Sequence, residues 1–278
     1  DLVNNYLNNK AINYKVFSLS NDKVGKKAAI RLGVKNSSIN SKFILTFDAD
    51  IIFNEYYFEN LKQLPESDLF ILPVKMEGKT ILEHIYALDY NLLNIINRIA
   101  FGFKRPILAS GANLLFNKKS FLKWDSFNSH KHLSSGDDMF LLNDFIKGGA
   151  SIALLSSNNL TVKTSSPSSI KSFLEQRARW ISKNKEINDS YSNSLLYLHL
   201  IILLLFYTAL IKTAVFEEWS YFIAIYTLKI FLDLVVISIQ KTKIRFSEKL
   251  LLPIYTFFQP LYYISLALFP LFIKTKWK

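Results

Sequence analysis

Three long apolar stretches fill the last third of the chain, whereas the first 190 residues alternate short apolar runs with amphipathic ones. The long stretches cover 195–211, 219–239 and 250–273. A helix rises about 1.5 Å per residue, so about 20 residues cross a hydrocarbon core of about 30 Å. The first stretch is marginal in length, the second is adequate, and the third is long enough despite its prolines. The pattern predicts about three transmembrane helices within 195–273.

Basic residues between the second and third stretches predict how the chain is oriented. Lys241, Lys243, Arg245 and Lys249 lie in this loop, and such residues are concentrated in cytoplasmic loops. We therefore expect an integral protein of the inner or plasma membrane, surrounded by membrane lipids, with its N-terminal region in the cytoplasm. A third full crossing would put the basic C-terminus outside, so a re-entrant or interfacial third stretch is the alternative.

Two charged residues interrupt the second stretch. Lys229 and Asp233 are four residues apart, so they fall on one face of a helix and can form an ion pair. One interpretation is a contact within or between helices, and the other is a polar wall along a path for lipid or polymer. We favour the first.

The alternation in residues 1–190 predicts an α/β domain, for which we expect a mixed, mostly parallel sheet flanked by helices. We expect helices at 25–35, 55–64, 80–100, 138–147 and 168–183, and strands at 15–20, 43–47, 68–76, 113–116, 151–155 and 160–163. The run at 43–47 is apolar throughout, which is typical of a buried parallel strand. The boundary between this domain and the transmembrane region falls between 190 and 195.

Composition and charge exclude several classes of protein. The absence of cysteine excludes a disulfide scaffold, a cysteine-based zinc site and a cysteine nucleophile. The net charge is +12, but no basic helix or RNA-binding motif concentrates it, so we expect no nucleic-acid partner. A membrane surface and phosphorylated substrates remain as explanations. No P-loop, dinucleotide-binding glycine motif or Ser-His-Asp set is present.

Two groups of carboxylates are candidates for chemistry. Asp48 and Asp50 follow the strand at 43–47, and ligands of α/β sheets bind beyond such strand ends. Paired carboxylates suit Mg²⁺ or Mn²⁺ bound to a diphosphate, although Asp is also common in turns. Asp137 and Asp138 open the helix at 138–147, where they serve either as helix caps or as a general base with its partner.

A third candidate lies on the helix before the membrane. Gln176, Arg179 and Trp180 are three or four residues apart and share a helix face. The amide and the guanidinium suit a diphosphate, and the indole offers a flat surface to a sugar ring. A helix at the membrane surface is the alternative, because Arg and Trp are common there.

A D-x-D, a G-D-D and a Q-x-x-R-W follow one another in this order before the apolar stretches. This arrangement resembles the membrane-bound, inverting family 2 glycosyltransferases, which have the GT-A fold. It is similar to cellulose, hyaluronan and chitin synthases and to bacterial glycolipid and exopolysaccharide enzymes. The resemblance covers about 15–190 and the apolar stretches. Nothing before residue 15 matches the family's first strand and nucleotide-binding loop, so we expect an N-terminally incomplete domain.

The resemblance implies roles for the carboxylates. Asp48 and Asp50 would hold the donor diphosphate through a divalent cation, Mn²⁺ or Mg²⁺, with Asp50 the more direct ligand. Asp138 would be the catalytic base and Asp137 its partner. Lys26, in a G-K segment, would lie near the donor.

Other residues are implied to bind the donor and the acceptor. Gln176 and Arg179 would contact the donor diphosphate, and Trp180 the acceptor sugar. Gly111 and Asn113 resemble the family's acceptor-side G-x-N element.

The implied activity is inverting sugar transfer from a nucleotide-sugar, in the first place a UDP-sugar, to a lipid-linked or glycan acceptor. A single transfer is favoured over processive synthesis, because three short spans are few for a polymer channel. A non-catalytic subunit that binds donor or partner is the alternative.

Overall fold

The computed structural model describes residues 14–20, 25–126, 136–187, 189–239 and 244–272. Lys241 and Lys243 of the predicted cytoplasmic loop therefore lie outside the described residues. In chain order, the helices and strands are α1 (Lys26–Asn36), β1 (Phe43–Phe47), α2 (Tyr57–Leu61), β2 (Leu69–Ile71), β3 (Val74–Glu77), α3 (Ile81–Gly102), β4 (Asn113–Asn117), α4 (Lys118–Trp124), α5 (Asp137–Lys147), β5 (Ile152–Leu154), β6 (Val162–Ser165), α6 (Ile170–Ile187), α7 (Ser190–Val215), α8 (Trp219–Ile239), α9 (Phe246–Leu250) and α10 (Leu252–Phe272).

The described strands form a four-stranded sheet in the order β1-β4-β2-β5 and a two-stranded ribbon of β3 and β6. Strand β4 is antiparallel to both β1 and β2, whereas the pairs β2–β5 and β3–β6 are parallel. The sheet is therefore mixed, as predicted, but the predictions that it is mostly parallel and that 43–47 is a parallel strand are wrong. An apolar run indicates that a strand is covered, but it does not indicate the direction of its neighbour.

Some predicted elements differ from those observed. The segment 68–76 is two strands, because Pro73 has no N–H to donate to a ladder and separates β2 from β3. Residues 15–20 form no strand. Helix α4 was not predicted; its first turn is capped by the Asn117 side chain, which accepts from the amides of Lys119 at 2.9 Å and Ser120 at 3.2 Å.

The main sheet has a hydrophobic core on each face. Successive residues of a strand point to opposite faces, so Leu69 and Ile71 join one core while Phe70 and Leu72 join the other. The first core includes Val34 of α1 and Phe145 of α5. Tyr57 of α2 and Val162 of β6 lie in the second. Helices on one face and a helix with the ribbon on the other thus fix the ends of the strands.

Two described helices are long and apolar enough to cross a membrane. They are Ser190–Val215, with a mean hydropathy of 2.3, and Trp219–Ser238, with a mean hydropathy of 1.9. Only 11% and 6% of their apolar windows are buried, whereas a core helix of a soluble protein is mostly buried. As predicted from their spacing, Lys229 and Asp233 form an ion pair within α8.

The third apolar stretch forms helix α10, but the number of predicted spans is not confirmed. A third core joins α10 to the α/β domain: Leu88 and Ile95 of α3 pack with Ile237 at the end of α8 and with Leu252 and Tyr255 of α10. Helix α3 therefore lies against the ends of both α8 and α10.

Candidate active site

A cavity of about 820 Å³ opens at the carboxyl ends of β1, β2 and β5. Eight of the ten predicted site residues line it: Lys26, Asp48, Asp50, Asp137, Asp138, Gln176, Arg179 and Trp180. They come from α1, the end of β1, the start of α5 and the middle of α6. The fold therefore gathers residues that are far apart in the sequence into one site.

The Lys26 ammonium lies at the centre of the carboxylates. It forms an ion pair with Asp48, lies 3.7 Å from Oδ2 of Asp137, and donates to the carbonyl oxygen of Gly111 at 3.2 Å. Burial alone would lower the pKa of Lys26, but Asp137, Asp48 and Asp138 together raise it. Lys26 is therefore a fixed positive charge at neutral pH.

A side chain at Gly111 would displace the neighbouring ends of Asp137 and Lys26. A Cβ atom there would lie 2.8 Å from both Oδ2 of Asp137 and Nζ of Lys26. The Gly111 amide donates to Oδ2 of Asp138 at 3.1 Å, and its carbonyl accepts from Lys26. The Gly111 backbone thus contacts both the Lys26 ammonium and Asp138, the predicted base, and fixes their relative positions.

The start of α5 places Asp138 at the cavity. Gly136 precedes the helix with φ 82°, a left-handed conformation that favours glycine. Oδ1 of Asp138 accepts from the amide of Met139 at 2.8 Å, within the first turn, whereas its other oxygen reaches Gly111. A capping role accounts for only the first of these contacts. Ser135 of the same motif lies outside the described residues.

Helix α6 presents different residues on two sides. Gln176, Arg179 and Trp180 line the cavity, as their spacing predicts. Arg177 does not line the cavity, although its guanidinium lies 4.3 Å from the centre of the Trp180 ring. It is 3% exposed and binds Asp89 of α3 through Nε at 2.8 Å and Nη2 at 2.6 Å. This buried ion pair fixes the rotation of α6 about its axis.

This ion pair was not predicted from the sequence. Burial would lower the pKa of Arg177, but Asp89 raises it, so the guanidinium stays charged. The Tyr255 hydroxyl donates to Asp89 at 2.8 Å, which ties α10 to the same point. The available signal was Asp89 itself, an acidic residue among the apolar positions in the middle of α3.

Asn113 is the predicted site residue that the structure places away from the cavity. It is fully buried, its Oδ1 accepts from the Tyr57 hydroxyl at 2.5 Å, and its Nδ2 donates to the carbonyl oxygens of Pro73 at 2.8 Å and Leu160 at 2.9 Å. Burial raises the pKa of Tyr57, which keeps that hydroxyl protonated. Asn113 thus connects strands and loops, and we leave it out of the acceptor site.

The fit of a divalent cation depends on the carboxylates after β1. The described residues contain no group of three or more His, Asp or Glu that could hold a metal ion by themselves. Asp48 and Asp50 offer oxygen ligands in one cavity, and Mg²⁺ is commonly held by one or two carboxylates together with substrate phosphates. The donor set therefore fits a cation that is shared with the substrate.

Helix α3 forms a wall of the cavity, and none of its residues was among the predicted site residues. Tyr90, Asn94, Asn97 and Arg98 all line the cavity. The Tyr90 ring lies 5.9 Å from that of Trp180, and burial raises the pKa of Tyr90. Oδ1 of Asn97 accepts from two amides of the loop before β4, each at 2.8 Å. Polar residues within an apolar helix were the signal for this wall.

Comparison with known families identifies the architecture. The model of the family described as Glycosyl transferase family group 2 matches residues 43–238, more than two thirds of the chain. The match covers every predicted site residue except Lys26, and both apolar helices α7 and α8. A search of curated proteins finds no match. The mixed α/β sheet followed by two apolar helices is consistent with a GT-A-like fold, and the chain belongs to glycosyl transferase family group 2 and is a glycosyltransferase.

Proposed function

We propose that this glycosyltransferase moves a sugar from a nucleotide-sugar, in the first place a UDP-sugar, to a hydroxyl of a lipid-linked acceptor, with inversion at the anomeric carbon. The observation that carries the proposal is the convergence of the carboxylates, Lys26 and the Q-x-x-R-W face on one cavity. A cavity of this size accommodates a nucleotide-sugar, because ligand pockets commonly span about 300–1,000 Å³.

The donor diphosphate would lie between α1 and α6. Lys26 supplies positive charge from one side, and Gln176 and Arg179 offer hydrogen-bond donors from the other. Asp48 and Asp50 would hold Mg²⁺ or Mn²⁺ together with the diphosphate oxygens. When bound, such a cation stabilises the negative charge of the leaving group.

The acceptor hydroxyl would approach Asp138 from the side of α3. Asp138 takes the hydroxyl proton while the acceptor oxygen bonds to the anomeric carbon and the bond to the diphosphate breaks, its electron pair leaving with the nucleotide. No protein nucleophile takes part, so a single displacement inverts the configuration. The rings of Trp180 and Tyr90 offer flat surfaces against which a sugar can stack.

Helices α7 and α8 would anchor the enzyme in the inner or plasma membrane, with the catalytic domain in the cytoplasm. Their exposed apolar side chains support this placement, because such surface is costly in water. Helix α3 forms a cavity wall and also packs against the ends of α8 and α10. A lipid-linked acceptor would therefore meet the cavity close to the membrane, which favours single transfer.

The test is nucleotide release from a panel of UDP- and GDP-sugars, with and without Mn²⁺ or Mg²⁺, by membranes that contain the chain. We expect metal-dependent release that falls about 100-fold or more in Asp138→Asn. The matched control is Asp144→Asn, because Asp144 lies on the same helix but binds Ser126. Equal release by Asp138→Asn and the parent would contradict the role of the base. No release from any donor by a folded protein would contradict the proposed reaction.

A further inference from the structure

A second cavity, of about 330 Å³, adjoins the first and shares Pro73, Val74 and Arg98 with it. We name it the side pocket. It lies beside the ribbon of β3 and β6 and beneath the chain that follows Asp50. Neither the family match nor the proposed reaction assigns it a role.

The side pocket carries a surplus of positive charge. Lys75, Arg98 and Lys163 line it, and its described lining includes no Asp or Glu. The carboxylate of Glu77, which does not line the pocket, is shared between two cations. It lies 3.3 Å from Nζ of Lys163 and 2.7 Å from Nη2 of Arg245. An anion is therefore the ligand that the charge of this pocket favours.

Arg98 is a cation with a buried nitrogen that lacks a hydrogen-bond partner among the described residues. Its Nε is buried and makes no hydrogen bond within the described part of the chain. Burial lowers the pKa of Arg98, as it does for a cation that loses water without gaining a carboxylate. A guanidinium presents a planar fork of donors that matches the oxygens of a phosphate. Binding of a phosphate would satisfy this buried cation.

The side pocket also offers a hydrogen-bond acceptor. Oδ1 of Asn54 is buried and has no partner among the described residues. An amide oxygen cannot donate to a phosphate oxygen, but it accepts from a hydroxyl. Cations together with such an acceptor suit a ligand that carries both a phosphate and hydroxyl groups, as a sugar phosphate does.

The pocket lies on the side of the domain that contacts helix α9. Arg98 and Asn91 are seven residues apart on α3, two turns along the same face, and both line the pocket. Asn91 donates to Oε2 of Glu248 in α9 at 3.1 Å, and α9 lies in the segment between the apolar helices α8 and α10. A ligand carried by a lipid can therefore reach the pocket.

We propose that the side pocket binds the phosphate of a lipid-linked sugar phosphate acceptor. Arg98 is the principal contact, Lys75 and Lys163 add positive charge, and Asn54 accepts from a sugar hydroxyl. This inference rests on the proposed function, whose acceptor class it narrows to sugar phosphates. Because Arg98 borders both cavities, a ligand bound to it lies next to the cavity that contains Asp138.

The test measures binding to the purified full-length chain in detergent, without any nucleotide-sugar. The probes are farnesyl-linked N-acetylglucosamine diphosphate, glucose 1-phosphate, inorganic phosphate and glucose. We expect affinity to fall in that order and glucose not to bind. Arg98→Gln should weaken binding of the two sugar phosphates about tenfold or more, since a charge-assisted bidentate contact is lost. Arg98→Lys should restore part of the affinity, and Arg31→Gln, whose arginine pairs with Asp125 outside both cavities, should change nothing.

Several results would overturn the inference. Equal binding by Arg98→Gln, with melting temperature unchanged, would remove Arg98 from the site. If inorganic phosphate bound as tightly as glucose 1-phosphate, the sugar would contribute nothing to binding, and the pocket would recognise phosphate alone. Binding to phosphatidylglycerol nanodiscs, but not to the sugar phosphates, would assign the pocket to bulk anionic lipid. Nucleotide release is scored separately. Intact release without phosphate binding would overturn this inference alone. Phosphate binding without release from any donor would overturn the proposed reaction and, with it, the acceptor role of the pocket, leaving only a phosphate-binding site.

Discussion

Two walls of the same cavity differ in how their charges are satisfied. In the wall formed by α1, the end of β1 and the start of α5, Lys26 pairs with Asp48 and approaches Asp137, while Gly111 binds Asp138. In the α3 wall, Arg98 has a buried nitrogen without a partner in the described chain. The charges of the first wall are thus paired within the chain, whereas Arg98 in the second wall has a buried nitrogen that no described residue pairs.

This difference matters for catalysis. Groups that act on the reacting atoms gain from being held in place before the substrate arrives, because no reorganisation then accompanies the reaction. A residue that only binds the substrate can instead be unpaired in the free protein and form its hydrogen bonds when the ligand binds. The internally paired wall is therefore the one we assign to chemistry, and the α3 wall the one we assign to the acceptor.

The largest expected effect comes from breaking the connection between the α3 wall and helix α6. Asp89→Asn would leave the guanidinium of Arg177 buried without a counter-charge, at a cost of about 3–5 kcal/mol. Tyr255→Phe removes only one hydrogen bond to Asp89, at a cost of about 1 kcal/mol. Chemical denaturation in detergent measures both. Similar losses in the two variants would contradict the importance of the ion pair, and a double variant Asp89→Leu/Arg177→Met should recover stability.

The next largest effect tests the internally paired wall. Gly111→Ala would push apart the side-chain ends of Lys26 and Asp137, which lie 2.8 Å from the new Cβ atom. Both ends can move, so the fold should survive, but a displacement of about 1 Å at a reacting group can cost about 100-fold in rate. Nucleotide release and a melting curve test this together.

The control for this variant is Gly33→Ala in α1. No atom lies within 4 Å of its added Cβ atom, so it should keep full activity and gain about 0.5–1 kcal/mol of helix stability. Retention of full activity by Gly111→Ala would show that the wall tolerates rearrangement.

The sequence predicted the carboxylate wall because its motifs are local. Asp48 and Asp50 directly follow a strand, and Gln176, Arg179 and Trp180 lie on one helix face, so short-range geometry alone places each group. The α3 wall was not predicted, because Tyr90, Asn94 and Arg98 resemble polar positions of a packing helix until the neighbouring elements are known. Pairing over long separations, such as Asp89 with Arg177, is equally invisible to a local pattern.

The direction of β1 was predicted wrongly for a related reason. The apolar run of β1 reports burial, but the antiparallel partner β4 is supplied by a segment 66 or more residues later. Asn113 shows the same limit at a single residue. Its position in a G-x-N segment predicted contact with an acceptor, and only the surrounding strands reveal that Tyr57, Pro73 and Leu160 occupy its hydrogen-bonding groups.

A smaller effect should follow from removing the cation of the paired wall. Lys26→Met leaves Asp48 and Asp137 without their shared positive charge, so donor binding should weaken about 10- to 100-fold. Lys26→Arg keeps the charge and should lose less, and Lys35→Met, at the exposed end of α1, should lose nothing. Titration of nucleotide release against donor concentration measures the effect. A loss in Lys35→Met equal to that in Lys26→Met would mean that only the net charge matters.

The smallest expected effect concerns a carboxyl group behind the α3 wall. Glu248 is fully buried; burial raises its pKa, although Lys75 and Arg245 oppose the shift. A carboxyl group whose pKa is higher in the folded state than in the unfolded state penalises folding above the folded pKa, and the penalty disappears as the pH falls to its ordinary value near 4.5. Glu248→Gln keeps the shape and the contact with Asn91 and removes the charge. It should raise the melting temperature at pH 7 by about 2–4 °C, which corresponds to about 1 kcal/mol, and should leave the melting temperature at pH 4.5 unchanged. A lower melting temperature at pH 7 would mean that the carboxylate stabilises this wall by pairing with Lys75, and that the surplus of positive charge around the side pocket is smaller than the geometry indicates.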